Sequence, residues 1–147
     1  MTDFTIDSNV PISANGRDTH ASLSCSLACI NQLQQIVADS RIVLDDQELI
    51  FNEYKRHLHF DGQPGVGDYF FKHIFHNKHN KKHVTQVSIT PCNESKGFSG
   101  LPENDLDPSD RKFLACAVLS NSDIVNATDS DWSENQWFQG VIPRSSR

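Results

Sequence analysis

Short apolar, strand-forming runs alternate with helix-forming segments along this chain, and the alternation limits the fold more than any other feature. The predicted strands cover residues 4–7, 42–44, 84–89 and 124–127, with a short edge strand at 140–143. The predicted helices cover residues 18–39 and 47–58, a short segment after Asp68, and residues 108–120. Strands joined through helices form a mostly parallel sheet with helices on both faces. The sequence therefore predicts a three-layer α/β/α sandwich around a central, mostly parallel sheet.

Several residues mark where the predicted helices begin and which side they bury. Asp18 is expected to cap the first helix and Asp46 the second. Pro11 and the pair Asn15-Gly16 predict a turn before the first helix. Apolar residues recur in that helix at spacings of three and four, which predicts an inward stripe. The stripe consists of Leu23, Leu27, Ile30, Leu33 and Val37.

Length and composition favour one soluble globular domain over residues 1–147. The chain has 147 residues, 37% of them hydrophobic and 22% charged, which suits a single core. Its apolar runs are too short to span a membrane, and no secretory signal is visible, so we expect a cytoplasmic protein. The formal net charge of −6 argues against a protein that coats nucleic acid nonspecifically, although it leaves room for a nuclease. The four cysteines lack zinc-site spacing.

Four acidic residues stand where unpaired charge is costly. Asp7 and Asp129 each follow a predicted strand, and parallel sheets bind ligands beyond the carboxyl ends of their strands. Glu53 lies within or beside the apolar stripe of its helix, and Asp110 precedes the apolar face of another. Each acid alone also has a structural interpretation, as a turn residue, a helix cap or, for Glu53, an edge residue that reaches water or pairs with Arg56. Asp131 is an auxiliary acid near Asp129.

Taken together, the acids predict a site for a hard cation. Buried carboxylates repel one another unless a cation or shared protons compensate them. Ligation by oxygen alone selects Mg²⁺ or Mn²⁺ over zinc. Such ions serve phosphoryl chemistry, because they lower the pKa of a bound water and offset charge on the leaving oxygen.

Four short motifs, in this order, resemble the PIN-domain family of metal-dependent ribonucleases. The motifs are Ile6-Asp7-Ser8-Asn9-Val10, Glu53-Tyr54, the segment Asp107-Pro108-Ser109-Asp110-Arg111-Lys112-Phe113-Leu114-Ala115, and Ala127-Thr128-Asp129-Ser130-Asp131-Trp132. The resemblance implies an α/β/α sandwich with an acidic pocket that cleaves single-stranded RNA with Mg²⁺ or Mn²⁺. Many members are toxins that pair with an antitoxin protein, and many form homodimers.

Carried over by motif, the resemblance assigns a role to each matching position. The acidic catalytic and metal-binding positions are Asp7, Glu53, Asp110 and Asp129, with Asp131 as a further acid. Asn9 and Thr128 correspond to polar support for the pocket. The stretch 62–104 is longer and richer in histidine than the compact toxin pattern.

A basic, histidine-rich segment is the remaining feature. It contains Lys72, Lys78, Lys81 and Lys82 together with His73, His76, His79 and His83. One interpretation is a solvated helix end and loop. The other is a patch beside the acidic pocket that contacts substrate phosphates.

The sequence thus favours a metal-dependent endoribonuclease, a hydrolase of phosphodiester bonds. The alternative is a catalytically silent PIN-like binding or regulatory module. A phosphoacceptor receiver domain also clusters acids after strands, but it needs a lysine after a late strand, and none lies near Val141 and Ile142.

Overall fold

Four parallel strands form the sheet in the computed structural model, which describes residues 2–16, 22–92, 97–99, 101 and 108–126. The strands are β1 (Asp3–Ile6), β2 (Arg41–Asp45), β3 (Val84–Val87) and β4 (Asp123–Val125), in the spatial order β3-β2-β1-β4. The helices are α1 (Asn9–Asn15), α2 (Leu23–Asp39), α3 (Leu49–His57), α4 (Val66–Asn77) and α5 (Arg111–Ser120), the last preceded by a 3₁₀ turn (Pro108–Asp110).

Helices cover both faces of this sheet. α1, α2 and α4 pack against one another, whereas α5 packs on β1, β2 and β4. The chain passes from β1 to β2 to β3 in one direction and then returns to β4 on the other side of β1. Since crossover connections are right-handed, the reversal of direction places α5 on the opposite face from the earlier helices. The predicted three-layer α/β/α sandwich with a parallel sheet is confirmed.

The central strands are buried on both faces. Ile42, Val43 and Leu44 are consecutive in β2, and each is at most 1% exposed. Because neighbouring residues of a strand point to opposite faces, this run shows that helices shield both sides of the sheet. α3 joins the two helical layers, since the Tyr54 ring packs 5.6 Å from the Phe70 ring of α4 and 6.4 Å from the Phe113 ring of α5.

The buried side of α2 differs from the predicted stripe. The inward residues are Cys25, Ser26, Cys29, Leu33 and Ile36, whereas Leu23 is 77% and Leu27 51% exposed. Small side chains in the first turns allow α1 to pack closely against α2. The predicted inward placement of Leu23 and Leu27 is wrong, although Leu33 is correctly assigned. Burial raises the pKa of the Cys29 thiol, so it behaves as a small apolar group.

α2 begins later than the sequence suggested. Its cap is Ser22, whose side chain accepts a hydrogen bond of 3.1 Å from the Cys25 N–H. Asp18 lies outside the described residues.

Asp45 caps α3, which corrects the assignment of that role to Asp46. The Asp45 carboxylate accepts hydrogen bonds from the N–H groups of Gln47, Leu49 and Ile50 at 3.1, 2.9 and 2.8 Å. Asp45 is buried as the last residue of β2, whereas the Asp46 side chain is exposed. β2 continues one residue beyond the predicted strand, so the carboxylate of Asp45, rather than that of Asp46, faces the start of α3.

The segment around Pro11 is a helix rather than a turn. Pro11 is the third residue of α1, where its missing N–H costs no helical hydrogen bond. Gly16 ends the helix with a positive φ of 71°, so the predicted break at Asn15-Gly16 is confirmed.

The glycines before α4 allow that helix to lie against α1. A Cβ on Gly67 would stand 1.9 Å from the carbonyl oxygen of Pro11. Asp68, the predicted cap, lies in the first turn of α4 and accepts hydrogen bonds from the N–H groups of Gly65 and His59 at 3.0 and 2.9 Å. The glycine-rich stretch is therefore a packing device between two helices.

Within the parts of the chain that the structure covers, no helix is long and apolar enough to cross a membrane. The predicted edge strand at 140–143 falls outside those parts.

Candidate active site at the carboxyl edge of the sheet

The order in which strands are added to the sheet reverses at β1, because β2 and β3 lie on one side of it and β4 on the other. Polar residues follow both β1 and β4 at that point. In open parallel sheets this reversal opens a crevice beyond the carboxyl ends of the strands, where ligands bind. Asp7 follows β1 and Asn126 follows β4. The Asn126 amide donates a hydrogen bond of 3.1 Å to Asp7 Oδ2, and the Asp7 N–H donates one of 3.0 Å to the Val125 carbonyl. Asp7 is 3% exposed.

A second contact fixes the carboxylate of Asp7. The backbone N–H of Asn9 donates to Asp7 Oδ1 at 3.2 Å. Asn9 is half-buried as the first residue of α1. Asn9 therefore contacts Asp7 through its backbone N–H, and its role as polar support for the pocket stays a prediction.

Glu53 reaches the same site from α3. It is 7% exposed, and its Oε2 accepts a short hydrogen bond from the hydroxyl of Ser8, the neighbour of Asp7. The adjacent Tyr54 hydroxyl donates to the carbonyl of Ile6. Burial, followed by the negative charges of Asp7 and Glu53, raises the pKa of Tyr54. The two carboxylates, predicted from distant segments, therefore lie together.

Lys112 is the residue that sequence reasoning missed. Its ammonium lies 2.6 Å from Glu53 Oε1 and also donates a short hydrogen bond to the Ser109 carbonyl. Lys112 is only 9% exposed. A lysine directly before the apolar run that starts at Phe113 was the available signal, because a buried lysine requires a partner acid.

Asp110 stands where α5 begins and is half-buried rather than fully inward. Its side chain makes no capping hydrogen bond to that helix. The contact of Lys112 with Ser109 and Glu53 holds the start of α5 against α3.

The remaining predicted residues of the pocket, Thr128, Asp129 and Asp131, lie outside the described residues. In sequence they follow Asn126, which already contacts Asp7, by two, three and five positions.

The residues of the site suit a hard cation by chemistry. Its anionic donors are carboxylates, and oxygen donors match Mg²⁺ or Mn²⁺. The Glu53 carboxylate is paired with the Lys112 ammonium at 2.6 Å and with the Arg56 guanidinium at 3.8 Å. The described residues contain no group of three or more His, Cys, Asp or Glu side chains arranged to hold a metal ion.

Two lysines of the basic segment lie at the other end of the sheet. Lys81 and Lys82 are exposed in the connection that enters the amino end of β3. β3 pairs with β2 at Val84 and Ile42, and Ile42 pairs with Phe4 of β1, three residues before Asp7. Three residues of strand span about 10 Å, in addition to the width of two strands. The expected position beside the acidic pocket is therefore wrong for these two lysines.

The other two lysines of the segment lie on α4 or directly after it. Lys72 is exposed on α4, close to Gly62. Lys78 forms an ion pair with Glu48 and lies 4.4 Å from the centre of the Phe51 ring. A cleft of about 420 Å³ follows the outer edge of β3, lined by Arg41, Lys78, His79, Lys81, Val84, Thr85 and Gln86.

Comparisons of this chain with protein-family models, with curated proteins and with solved structures find no match.

Proposed function

We propose that the protein is a metal-dependent endoribonuclease that cleaves single-stranded RNA beside Asp7 and Glu53. One observation carries the proposal: two buried acids from distant segments lie near each other at the carboxyl ends of the strands, beside the point where the strand order reverses. Ligands bind at this point of a parallel sheet, and carboxylate oxygens are the donors that a hard cation prefers. The resemblance of the surrounding motifs to PIN-domain ribonucleases supports RNA as the substrate class.

The described residues would hold the reacting groups in fixed positions. Asn126 and Asn9 orient the Asp7 carboxylate, while Ser8 and Lys112 orient Glu53. Preorganised carboxylates of this kind lose little on binding a cation, because the polar groups around them are already in place.

A bound Mg²⁺ or Mn²⁺ would supply a water of lowered pKa and offset the charge of the leaving oxygen. Asp7 and Glu53 would bind the ion together with Asp110, and Asp129 with Asp131 would complete the ligand set. Asn9 and Thr128 would support the pocket.

We further propose that Lys72, Lys78, Lys81 and Lys82 contact phosphates away from the cleaved bond. The distance of Lys81 and Lys82 from Asp7 suits an RNA strand that runs across the protein surface. Replacing Lys81 and Lys82 with Gln should weaken RNA binding and lower the slope of log affinity against log salt by about 0.7 for each lost phosphate contact. An unchanged slope in a filter-binding titration would exclude these two lysines from the substrate path.

The activity test uses end-labelled single-stranded RNA with Mn²⁺ and the Asp7→Asn variant. We expect cleavage to fall by about 100-fold or more, because the substitution removes a negative charge that would bind the cation. Asp39→Asn is the matched control, since Asp39 is exposed at the end of α2. Circular dichroism should show both variants folded. Equal cleavage by the Asp7→Asn variant and the control would refute the assigned site.

A catalytically silent binding or regulatory module is the second candidate, and the ion pair of Glu53 with Lys112 favours it. An acid that already has a buried cationic partner is less available to a metal. Titration calorimetry with Mn²⁺ separates the two candidates, because the nuclease must bind the ion and the silent module need not.

Two narrower proposals rest on the family resemblance alone: a toxin role with an antitoxin partner, and a homodimer. The cytoplasmic location is proposed from the sequence. Light scattering of the purified protein tests the dimer, and a small overlapping upstream gene would support the antitoxin.

A further inference from the structure

We infer that a pocket at the end of α3 binds single-stranded RNA, with a base stacked on the exposed ring of Phe60 and phosphates held by Lys55 and Arg56. The choice of RNA as the ligand rests on the proposed function. The inference itself concerns binding, which needs no metal ion, so it can be tested apart from cleavage.

Two exposed phenylalanines form the aromatic side of this pocket. Phe60, in the turn after α3, is 61% exposed, and Phe75 of α4 is 44% exposed. Their ring centres lie 5.5 Å apart with an angle of 32° between the ring planes, and Phe75 lies 6.1 Å from the buried ring of Phe51 at a similar angle of 31°. The core therefore holds one end of a row of three rings, and the other end is open to a base from solution. Stacking of this kind accepts any base, because every base has a π-face.

Basic side chains surround the exposed rings. The pocket has a volume of about 300 Å³, and Lys55, Arg56, His57 and His59 line it. All four are exposed, and among the described residues no acid lines this pocket. The chain as a whole has a formal net charge of −6, so the positive charge here is local. Cations beside exposed aromatic rings are the combination that binds single-stranded nucleic acid, whereas an apolar partner has no use for the cations.

Arg56 connects the pocket with the candidate active site. Its guanidinium lies 3.8 Å from Glu53 Oε1, and its side chain is 68% exposed. An exposed ion pair at this distance contributes little to stability. A guanidinium carries five N–H donors and commonly gives two of them to one phosphate, so Arg56 can bind RNA while it stays beside Glu53. The pocket therefore adjoins the acidic side chains through Arg56.

The row of rings also leads in the opposite direction, toward the basic segment. The Lys78 ammonium lies 4.4 Å from the centre of the Phe51 ring, at the buried end of the row. Lys78 and Lys81 both line the cleft along the outer edge of β3. The row therefore joins the pocket to lysines that the proposed function assigns to phosphates.

Fluorescence anisotropy with an end-labelled, single-stranded RNA of about 12 nucleotides tests the inference, a length within the site sizes of such grooves. EDTA in the buffer removes divalent ions and prevents metal-dependent cleavage. Phe60→Leu keeps an apolar side chain but loses the flat ring, and we expect the Kd to rise by about 5-fold or more. Phe60→Tyr keeps the ring and should bind as the wild type does. Lys55→Gln should lower the slope of log affinity against log salt by about 0.7.

Tyr69→Leu is the matched control for the loss of an exposed ring. Tyr69 is 56% exposed on α4, the helix that carries Phe75, but it lines a different groove with Val37 of α2. This variant should leave the Kd unchanged. Duplex RNA of the same length should bind more weakly than the single strand, because its bases are already stacked and paired. Circular dichroism checks that each variant is folded.

The outcomes separate this inference from the proposed function. Equal affinities of Phe60→Leu and Tyr69→Leu, or equal binding of duplex and single strand, would overturn the inference even if the wild type cleaves RNA in Mn²⁺. A wild type that does not bind the RNA in EDTA would overturn it as well, and the cleavage assay then decides the proposed function by itself. Binding that depends on Phe60 and Lys55, without any cleavage in Mn²⁺, would support the inference and remove the proposed function.

Discussion

Replacing Asp45 with Ala should be among the costliest single substitutions in this protein. The Asp45 carboxylate is 2% exposed and accepts three backbone hydrogen bonds at the start of α3. A hydrogen bond to a charged group contributes about 1.5–3 kcal/mol, and loss of a helix cap costs about 0.5–2 kcal/mol. The exposed Gln47 N–H can bind water instead, whereas the buried Ile50 N–H cannot. We therefore expect the free energy of unfolding to fall by about 3 kcal/mol.

Urea unfolding followed by circular dichroism measures this loss. For a domain of this size, about 3 kcal/mol corresponds to a decrease in Tm of roughly 6–12 °C. Asp46→Ala is the matched control, because that exposed carboxylate is the next residue and should change stability by less than about 0.5 kcal/mol. Asp45→Asn, which keeps an acceptor, should fall between the two. If Asp45→Ala and Asp46→Ala differ by less than about 0.5 kcal/mol, the capping role is wrong.

Three further perturbations test other contacts. Gly67→Ala places a Cβ 1.9 Å from the Pro11 carbonyl oxygen, so α1 and α4 must separate, and urea unfolding should show a loss of about 3 kcal/mol. Burial and nearby acids raise the pKa of Tyr54 above its ordinary value of 10.0, so the unfolded chain loses this proton first. The free energy of unfolding should therefore fall above about pH 10. Unfolding at each pH is measured in Tyr69→Phe, where the phenolate absorbance reports Tyr54 alone. Burial lowers the pKa of His73 below 6.5, so the unfolded chain binds the proton more readily than the folded chain. The free energy of unfolding should therefore fall as the pH drops below about 6.5. The variant His73→Gln should show a weaker dependence on pH.

The fold was predictable because the order of strands and helices stays the same when single boundaries or caps are assigned wrongly. Strand residues such as Ile42 and Val43 are apolar on both faces, which only a sandwiched parallel sheet requires. The side that α2 buries was not predictable, because its leucine stripe and its Cys25-Cys29-Leu33 line both have helical spacing. The packing of α1, which the sequence presented as a turn, decides between them.

The candidate site was predictable in part. Asp7 and Glu53 were found because each carries charge within an apolar pattern, and the structure brings them together. Lys112 was missed because its partner is 59 positions away in sequence, and no local pattern reports that distance. Lys81 was placed on the wrong side because its position relative to Asp7 depends on the order of the strands, which composition does not encode.

The hydrogen bond between Asn126 and Asp7 can form only late in the synthesis of the chain. The two residues are 119 positions apart, and β1 pairs with β4 only after that whole stretch has been synthesised. At roughly 5–20 residues per second, the interval between them is about 6–24 s. During that interval the growing chain carries Asp7 and Glu53 without the strand that completes the crevice. The proposed active site would therefore stay incomplete until β4 has been synthesised.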